Sequence, residues 1–180
     1  EYARLSALVQ NIFVTVVLFA VLFTAAGIVL TEQLLAALAT PADLIPQASL
    51  YLRIPLGGIL AQLLYNTASA ILRALGNTTS PLHYLAAAVL LNIALDVLLL
   101  IAVPCGIAGA AAATVTAQAA AALLALRKLL RLRGAWQFHL HRPFFQPVHL
   151  LPILGTSIPA GLQAVFMSIS SLVIQAYINS

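Results

Sequence analysis

Three polar residues in otherwise apolar stretches have the chemistry of an ion-binding site. Asp96 lies within the apolar stretch 82–103, and Asn92 precedes it by four residues, so a helix would carry both side chains on one face. A carboxylate inside an apolar membrane helix costs about 2.5–3.5 kcal/mol, and ionisable residues retained at that cost commonly have a function. Asp96 is therefore the first candidate for ion binding.

Thr114, on the next apolar stretch, is the third of these residues. Asp96 precedes Cys105 by nine residues and Thr114 follows it by nine, so a turn centred there places each about 13 Å from it, at 1.5 Å per residue. An antiparallel helix pair then brings both to the same depth. Carboxylate, amide and hydroxyl oxygens suit a hard cation such as Na⁺, or a proton. The alternative is structural: Asp96 hydrogen-bonds to Asn92 or Thr114 and fixes the helix pair.

Other polar residues repeat at helical spacing along the apolar stretches. Such stripes predict either a substrate path or hydrogen bonds between helices, and the spacing leaves both interpretations open. The candidate substrate-path residues are Gln62, Asn66, Ser69, Gln118, Ser168, Ser171 and Gln175.

The elements that position these residues must be membrane helices, because the composition excludes a soluble fold. Of 180 residues, 63% are hydrophobic and 7% are charged, against about 25% charged residues in a soluble domain. The mean hydropathy is +1.07, and the apolar stretches have the roughly 20 residues that a spanning helix needs. The sequence predicts an all-α polytopic membrane protein. It has neither a Ser/His/Asp set nor a phosphate loop with its lysine, so we do not expect an enzyme.

Five apolar segments are separated by connectors that contain proline, glycine or basic residues. Prolines and glycines near Pro55 and Pro159 predict a bend or an interfacial turn in the second and fifth segments. Small residues four apart in the fourth segment, from Gly109 to Ala121, allow close helix packing. The segments are 7–30, 50–72, 82–103, 107–126 and about 150–178.

The basic residues predict the orientation of these segments. If the N-terminus is cytoplasmic, seven of the eight Lys and Arg residues fall on the cytoplasmic side and only Arg53 falls on the other. Cytoplasmic loops of membrane proteins carry such an excess of Lys and Arg. The first segment therefore runs from inside to outside, and the direction alternates along the chain.

Several short sequences, in their order along the chain, resemble the multidrug and toxic compound extrusion (MATE) transporters. A later one resembles the opening of the second half of these proteins. The sequences are 51–58 (YLRIPLGG), 70–78 (AILRALGNT), 91–96 (LNIALD), 106–114 (GIAGAAAAT) and, for the second half, 158–163 (IPAGLQ).

The resemblance implies that the chain is similar to helices three to seven of a twelve-helix transporter with two lobes. Residues 1–126 then belong to the first lobe, 127–147 form the basic cytoplasmic loop between the lobes, and 148–180 contain the first helix of the second lobe. It also implies a cation site of which this chain supplies Asn92, Asp96 and Thr114, completed by an Asp on a helix outside the chain.

We therefore expect part of a cation-coupled multidrug efflux antiporter, a multi-pass protein of the cell's inner membrane. The coupling ion is Na⁺ or H⁺, no cofactor is expected, and the substrates are small cationic or amphipathic drug-like molecules. The expected partners are the lipid bilayer and the remaining helices of the full-length chain, without nucleic acid. One alternative is a flippase for lipid-linked saccharides from a sister family, which would line its cavity with basic residues. The other is a non-transporting membrane assembly subunit, which would gain little from Asp96.

The orientation can be tested by placing single cysteines at Thr40 and at Arg133 of the full-length protein, after replacement of Cys105. An impermeant thiol reagent should label position 40 from outside the cell and position 133 only from inside, because the basic residues hold position 133 in the cytoplasm. Labelling of both positions from the same side would contradict the five-span topology.

Overall fold

The computed structural model describes residues 2–37, 40–41, 43–102, 106–132 and 150–178. A five-residue π-helical segment, Leu98–Ala102, follows directly on the third of its α-helices. All five long helices of the described part are apolar and long enough to cross a membrane, which confirms the predicted all-α polytopic fold. The helices are α1 (Tyr2–Ala37), α2 (Ile45–Ala74), α3 (Thr79–Val97), α4 (Gly106–Arg131) and α5 (Leu150–Ile178).

α1, α2 and α4 extend beyond the predicted apolar segments at both ends, because bilayer thickness limits the apolar stretch and not the helix. α4 continues to Arg131 and so includes the first residues of the predicted loop 127–147. Lys128 and Arg131 lie in its last turn, where cations interact favourably with the free carbonyl groups of a helix end. The loop therefore begins later than predicted, and 133–149 lie outside the described residues.

The prolines of α2 and α5 do not interrupt these helices. α2 runs through Pro55 and α5 through Pro159 as continuous α-helices. A proline removes one backbone hydrogen bond from a helix, and neighbouring helices in a membrane compensate for such losses. The next residue after Pro55 is tied to α1, because the hydroxyl of Thr24 donates a hydrogen bond to the carbonyl oxygen of Leu56 at 3.0 Å.

α2 and α4 form the centre of the bundle. They pack most extensively against each other, while α1 packs against α2 and α3 packs mainly against α4. The predicted small-residue seam of α4 is confirmed, since its members are all buried. They are Gly109, Ala113, Ala117 and Ala121.

The apolar core lies at the end of the bundle that the charge distribution assigns to the cytoplasm. α1, α2 and α4 each contribute two buried residues, and partly buried tyrosines of α2 and α3 pack against them. A smaller cluster joins Ala88 of α3 to the alanine face of α4. The core residues are Val9, Phe13, Ala68, Leu72, Ala125 and Leu129.

The closest approach of α2 to α4 depends on a glycine. A Cβ atom on Gly58 would lie 2.6 Å from Cγ2 and 3.1 Å from Cγ1 of Val115, whereas a Cβ atom on the neighbouring Gly57 would meet nothing within 4 Å. Valine has one strongly preferred rotamer in a helix, so Val115 cannot easily turn aside. Gly58 therefore sets the distance between the two helices.

We expect Gly58→Ala to destabilise the full-length protein and Gly57→Ala to leave it unchanged or slightly more stable. Both substitutions gain up to about 1 kcal/mol of helix propensity, so their difference isolates the overpacking against Val115, about 1–3 kcal/mol. Thermal unfolding of the purified protein in detergent should show a lower Tm for Gly58→Ala. Adding Val115→Ala should restore much of the loss. Equal Tm values for the two single variants would contradict the close approach.

Candidate cation-binding site

Two of the three predicted ion-binding residues are in direct contact. Asn92 of α3 and Thr114 of α4 face each other across the helix pair, and Nδ2 of Asn92 donates a hydrogen bond to Oγ1 of Thr114 at 3.4 Å. The hydroxyl of Thr114 in turn donates to the carbonyl oxygen of Ala110 at 3.1 Å. Asn92 makes this contact through its amide nitrogen, Nδ2, and not through its amide oxygen, Oδ1.

Asp96, the third predicted residue, contains a buried oxygen without a partner. Its Oδ1 atom is inaccessible to solvent and has no hydrogen-bond partner among the described residues. Burial of an unpaired carboxylate is costly in a medium of low dielectric constant. A bound cation or a proton on the carboxylate would remove that cost, so the structural interpretation, a hydrogen bond from Asn92 or Thr114 to Oδ1, does not account for this atom.

The backbone changes its winding directly after Asp96. α3 ends at Val97, and the π-helical segment begins at Leu98. Single π-helical turns within α-helices are rare and occur frequently at functional sites. Here the segment lies at the end of α3, directly after the candidate carboxylate and its neighbour Val97.

The observed contact differs from the predicted register. Counting residues from the turn placed Thr114 level with Asp96, but its hydrogen-bond partner is Asn92, which lies four residues and about 6 Å earlier along α3. A π-helix takes up more residues per turn than an α-helix, so the segment after Asp96 contributes to the difference in this direction.

The arrangement can coordinate a hard monovalent cation or accept a proton, but it does not resemble a transition-metal site. Its available oxygens are a carboxylate, an amide carbonyl and a hydroxyl, which are hard ligands. Among the described residues, no group of three or more His, Cys, Asp or Glu side chains is placed to hold a metal. Hard cations take more oxygens than these three, so the site needs further ligands.

A groove of about 1070 Å³ lies between α1, α2 and α5. Its described lining is mainly aliphatic and aromatic, with no charged side chain, and its polar residues are Thr15, Asn66, Thr67 and Ser157. The Oγ1 atom of Thr15 is buried without a hydrogen-bond partner in the described part of the chain. The groove therefore offers an apolar surface with a few polar groups, as small-molecule sites commonly do.

The structure separates the residues predicted for a substrate path. Asn66 lines the groove, whereas Gln62 is exposed outside its described lining. Ser69 is only 1% exposed, and its Oγ atom lacks a partner among the described residues. Gln118 is half-buried on α4.

Two α5 members of the predicted path, Ser168 and Ser171, hydrogen-bond within their own helix. The hydroxyls of Ser168 and Ser171 are exposed, and both donate to carbonyl oxygens one turn earlier in the same helix, each at 3.0 Å. The side chain of Gln175 lies outside the described residues. These serines satisfy their own backbone and make no hydrogen bond to another described helix.

Sequence reasoning missed Thr15, Thr67 and Ser157 in the groove. Thr15 follows Asn11 by four residues in the first apolar segment, and this spacing was the available signal, because it places two polar side chains on one face of a helix. Thr67 and Ser157 carry no comparable signal, since isolated hydroxyl residues are common in membrane helices.

Long apolar helices, two of which are joined by the hydrogen bond between Asn92 and Thr114 next to the buried Asp96 oxygen, define a polytopic membrane protein with polar groups inside it. A model of the MatE family matches residues 1–98, more than half of the 180 residues. The chain therefore belongs to the multidrug and toxic compound extrusion (MATE) family. Over 159 residues it is 40% identical to "Probable multidrug resistance protein YpnP" of Bacillus subtilis (strain 168), a match that covers 88% of this chain and 35% of that protein.

Solved structures of MATE transporters share this fold. The chain superposes on an inward-facing multidrug resistance MATE family transporter of the MOP superfamily with a TM-score of 0.80 at 24% identity, covering 93% of this chain and 39% of that one. An outward-facing structure of such a transporter gives a TM-score of 0.83 at 21% identity, and the match covers 91% of this chain and 37% of that one. A MOP superfamily transporter from Pyrococcus furiosus gives a TM-score of 0.78 at 21% identity, and the match covers 91% of this chain and 40% of that one. That protein is described as having a binding pocket of reverse polarity, which suggests a different function for it. At these identities the likeness concerns the fold.

The hydrogen bond between Asn92 and Thr114 predicts a small stability effect. Thr114→Val should destabilise the full-length protein by about 0.6 kcal/mol more than Thr116→Val, the average for such bonds between membrane helices. Thr116 is the matched control, because its hydroxyl is exposed and donates to the carbonyl oxygen of Ala112 at 2.8 Å. Thermal unfolding in detergent measures both variants, and equal losses would show that the interhelical bond contributes nothing.

Proposed function

We propose that the full-length protein is a cation-coupled multidrug efflux antiporter of the cell's inner membrane, driven by Na⁺ or H⁺. The observation that carries this proposal is the buried oxygen of Asp96, which has no partner among the described residues, beside the hydrogen-bonded pair Asn92 and Thr114. Either a cation or a proton can neutralise this carboxylate, because each removes the free-energy cost of a buried charge.

Exchange of the cation against a drug requires only that the two favour opposite states of the protein. If the cation binds one arrangement of the lobes more tightly and the drug binds the other, the gradient of the cation drives export of the drug. In our proposal α1–α4 belong to the first lobe and α5 begins the second. The shared core of α1, α2 and α4 and the lack of an extensive contact between α5 and any other described helix support this division.

The groove between α1, α2 and α5 supports amphipathic, drug-like substrates. Its large apolar lining with a few hydroxyl and amide groups suits molecules of varied shape that need little directional bonding. A flippase for lipid-linked saccharides is less well supported. Such a protein would need basic residues to bind the pyrophosphate group of the lipid, and the described lining contains no Lys or Arg. The other alternative, a non-transporting assembly subunit, gives the buried carboxylate of Asp96 no function.

Asp96→Asn in the full-length protein should abolish the dependence of drug efflux on the cation gradient. The substitution keeps the shape of the side chain and removes its charge, so the protein should still insert into the membrane. The stimulation of drug efflux by the cation gradient should fall by roughly 5- to 150-fold, the range that coupled sites typically contribute. Thr114→Ala should give a milder loss, because it removes one neutral oxygen. The measurement is gradient-driven efflux from proteoliposomes at matched protein content.

Asp43→Asn is the matched control for this experiment. Asp43 is an exposed carboxylate in the connector before α2, so its neutralisation changes the net charge equally without touching the helix pair. Coupling should remain at the wild-type level in this variant. Wild-type coupling in Asp96→Asn would show instead that the Asp96 carboxylate is structural.

A further inference from the structure

A small pocket lies between α3 and α4 at the end of the bundle assigned to the cytoplasm. It has a volume of about 360 Å³ and is lined by Tyr84 of α3 and by Leu124, Arg127, Lys128 and Arg131 of α4. Three cations, one phenol and one aliphatic side chain therefore surround one space. We refer to it as the basic pocket.

The positive charge of the basic pocket is not balanced by the described protein. The chain has four Asp and Glu residues, and none follows Asp96 in the sequence. The structure describes three of them. Glu32, near the end of α1, pairs with Arg53 at 2.9 Å, and Asp43 lies in the connector between α1 and α2. Asp96 lies beyond Asn92, near the end of α3. Three cations within five residues repel one another, so the pocket favours an anionic ligand.

The walls of the pocket are held by the fold. Tyr84 is half-buried and packs against the core cluster, to which α4 contributes Ala125 and Leu129 from the same turns that bear the cations. Lys128 is half-buried, whereas Arg127 and Arg131 are exposed. The arginines suit a phosphate group, since a guanidinium binds phosphate oxygens through two parallel hydrogen bonds.

We propose that the basic pocket binds the phosphate of an anionic phospholipid of the cytoplasmic leaflet. The pocket opens between two membrane helices at the level of their polar ends, where lipid headgroups lie, and basic pockets in such positions bind anionic headgroups. Leu124 adds an apolar side chain to the lining, one helical turn before Lys128 in α4. It suits the glycerol and acyl region of a lipid and offers nothing to a free phosphate ion. Tyr84 is at the depth where tyrosines commonly contact headgroups.

The proposal predicts selective retention of an anionic lipid by the full-length protein. Native mass spectrometry of delipidated protein, titrated with dioleoyl phosphatidylglycerol or with dioleoyl phosphatidylcholine, should show tighter binding of the anionic lipid. Combined Arg127→Gln, Lys128→Gln and Arg131→Gln should weaken its binding by roughly fivefold for each cation removed. Arg73→Gln is the matched control, because Arg73 is an exposed cation in the last turn of α2 and does not line the pocket.

A charge-conserving variant separates lipid binding from membrane topology. Arg127→Lys with Arg131→Lys keeps all positive charges, so the orientation signal remains, but it removes the two-pronged contacts to phosphate; it should still weaken phosphatidylglycerol binding. Equal affinity in the neutralised variant and the wild type would overturn the proposal. An equal loss in Arg73→Gln would show diffuse surface charge instead of a pocket. Displacement of the lipid by millimolar inorganic phosphate would assign the pocket to a free anion.

Discussion

The close packing of α4 against α2 is the interaction on which the rest of the structure depends. Lipid tails are as apolar as leucine, so membrane helices associate through van der Waals contact between surfaces that approach closely. The small residues of α4 provide such a surface, and Gly58 of α2 admits Val115 where any larger residue would collide. α1 is attached in the same manner through α2, because Gly27 leaves room for Leu56.

The same packing creates the candidate cation site. α4 packs against both α2 and α3, and this brings Thr114 within hydrogen-bond distance of Asn92. Burial then leaves three side-chain oxygens without partners among the described residues, on Thr15, Ser69 and Asp96. Thr15 lines the groove and Asp96 belongs to the candidate site, whereas Ser69 lies in neither.

Charge is distributed so that the two ends of the bundle differ in character. At the outer end a cation and a carboxylate, Arg53 and Glu32, form an exposed ion pair, which contributes little to stability because water screens it. At the other end the last turns of α4 carry cations with no described carboxylate nearby. The first arrangement is neutral, whereas the second is positively charged. In our proposal the anions of a membrane surface balance the second arrangement. The predicted orientation in the bilayer and the proposed lipid contact then follow from one charge pattern.

The sequence by itself determined the membrane class and the number of spanning helices in the described part, because apolar length is a local property. The isolated carboxylate of Asp96 led to the predicted residues of the candidate ion site, and these stay a prediction. The register and rotation of the helices were decided only by the tertiary structure. Counting residues from the turn placed Thr114 level with Asp96, but the structure makes Asn92 its hydrogen-bond partner. Helical spacing placed Asn66 and Ser69 on one stripe, yet one lines the groove and the other is buried. Spacing fixes which residues share a face, but contacts with neighbouring helices decide what that face meets.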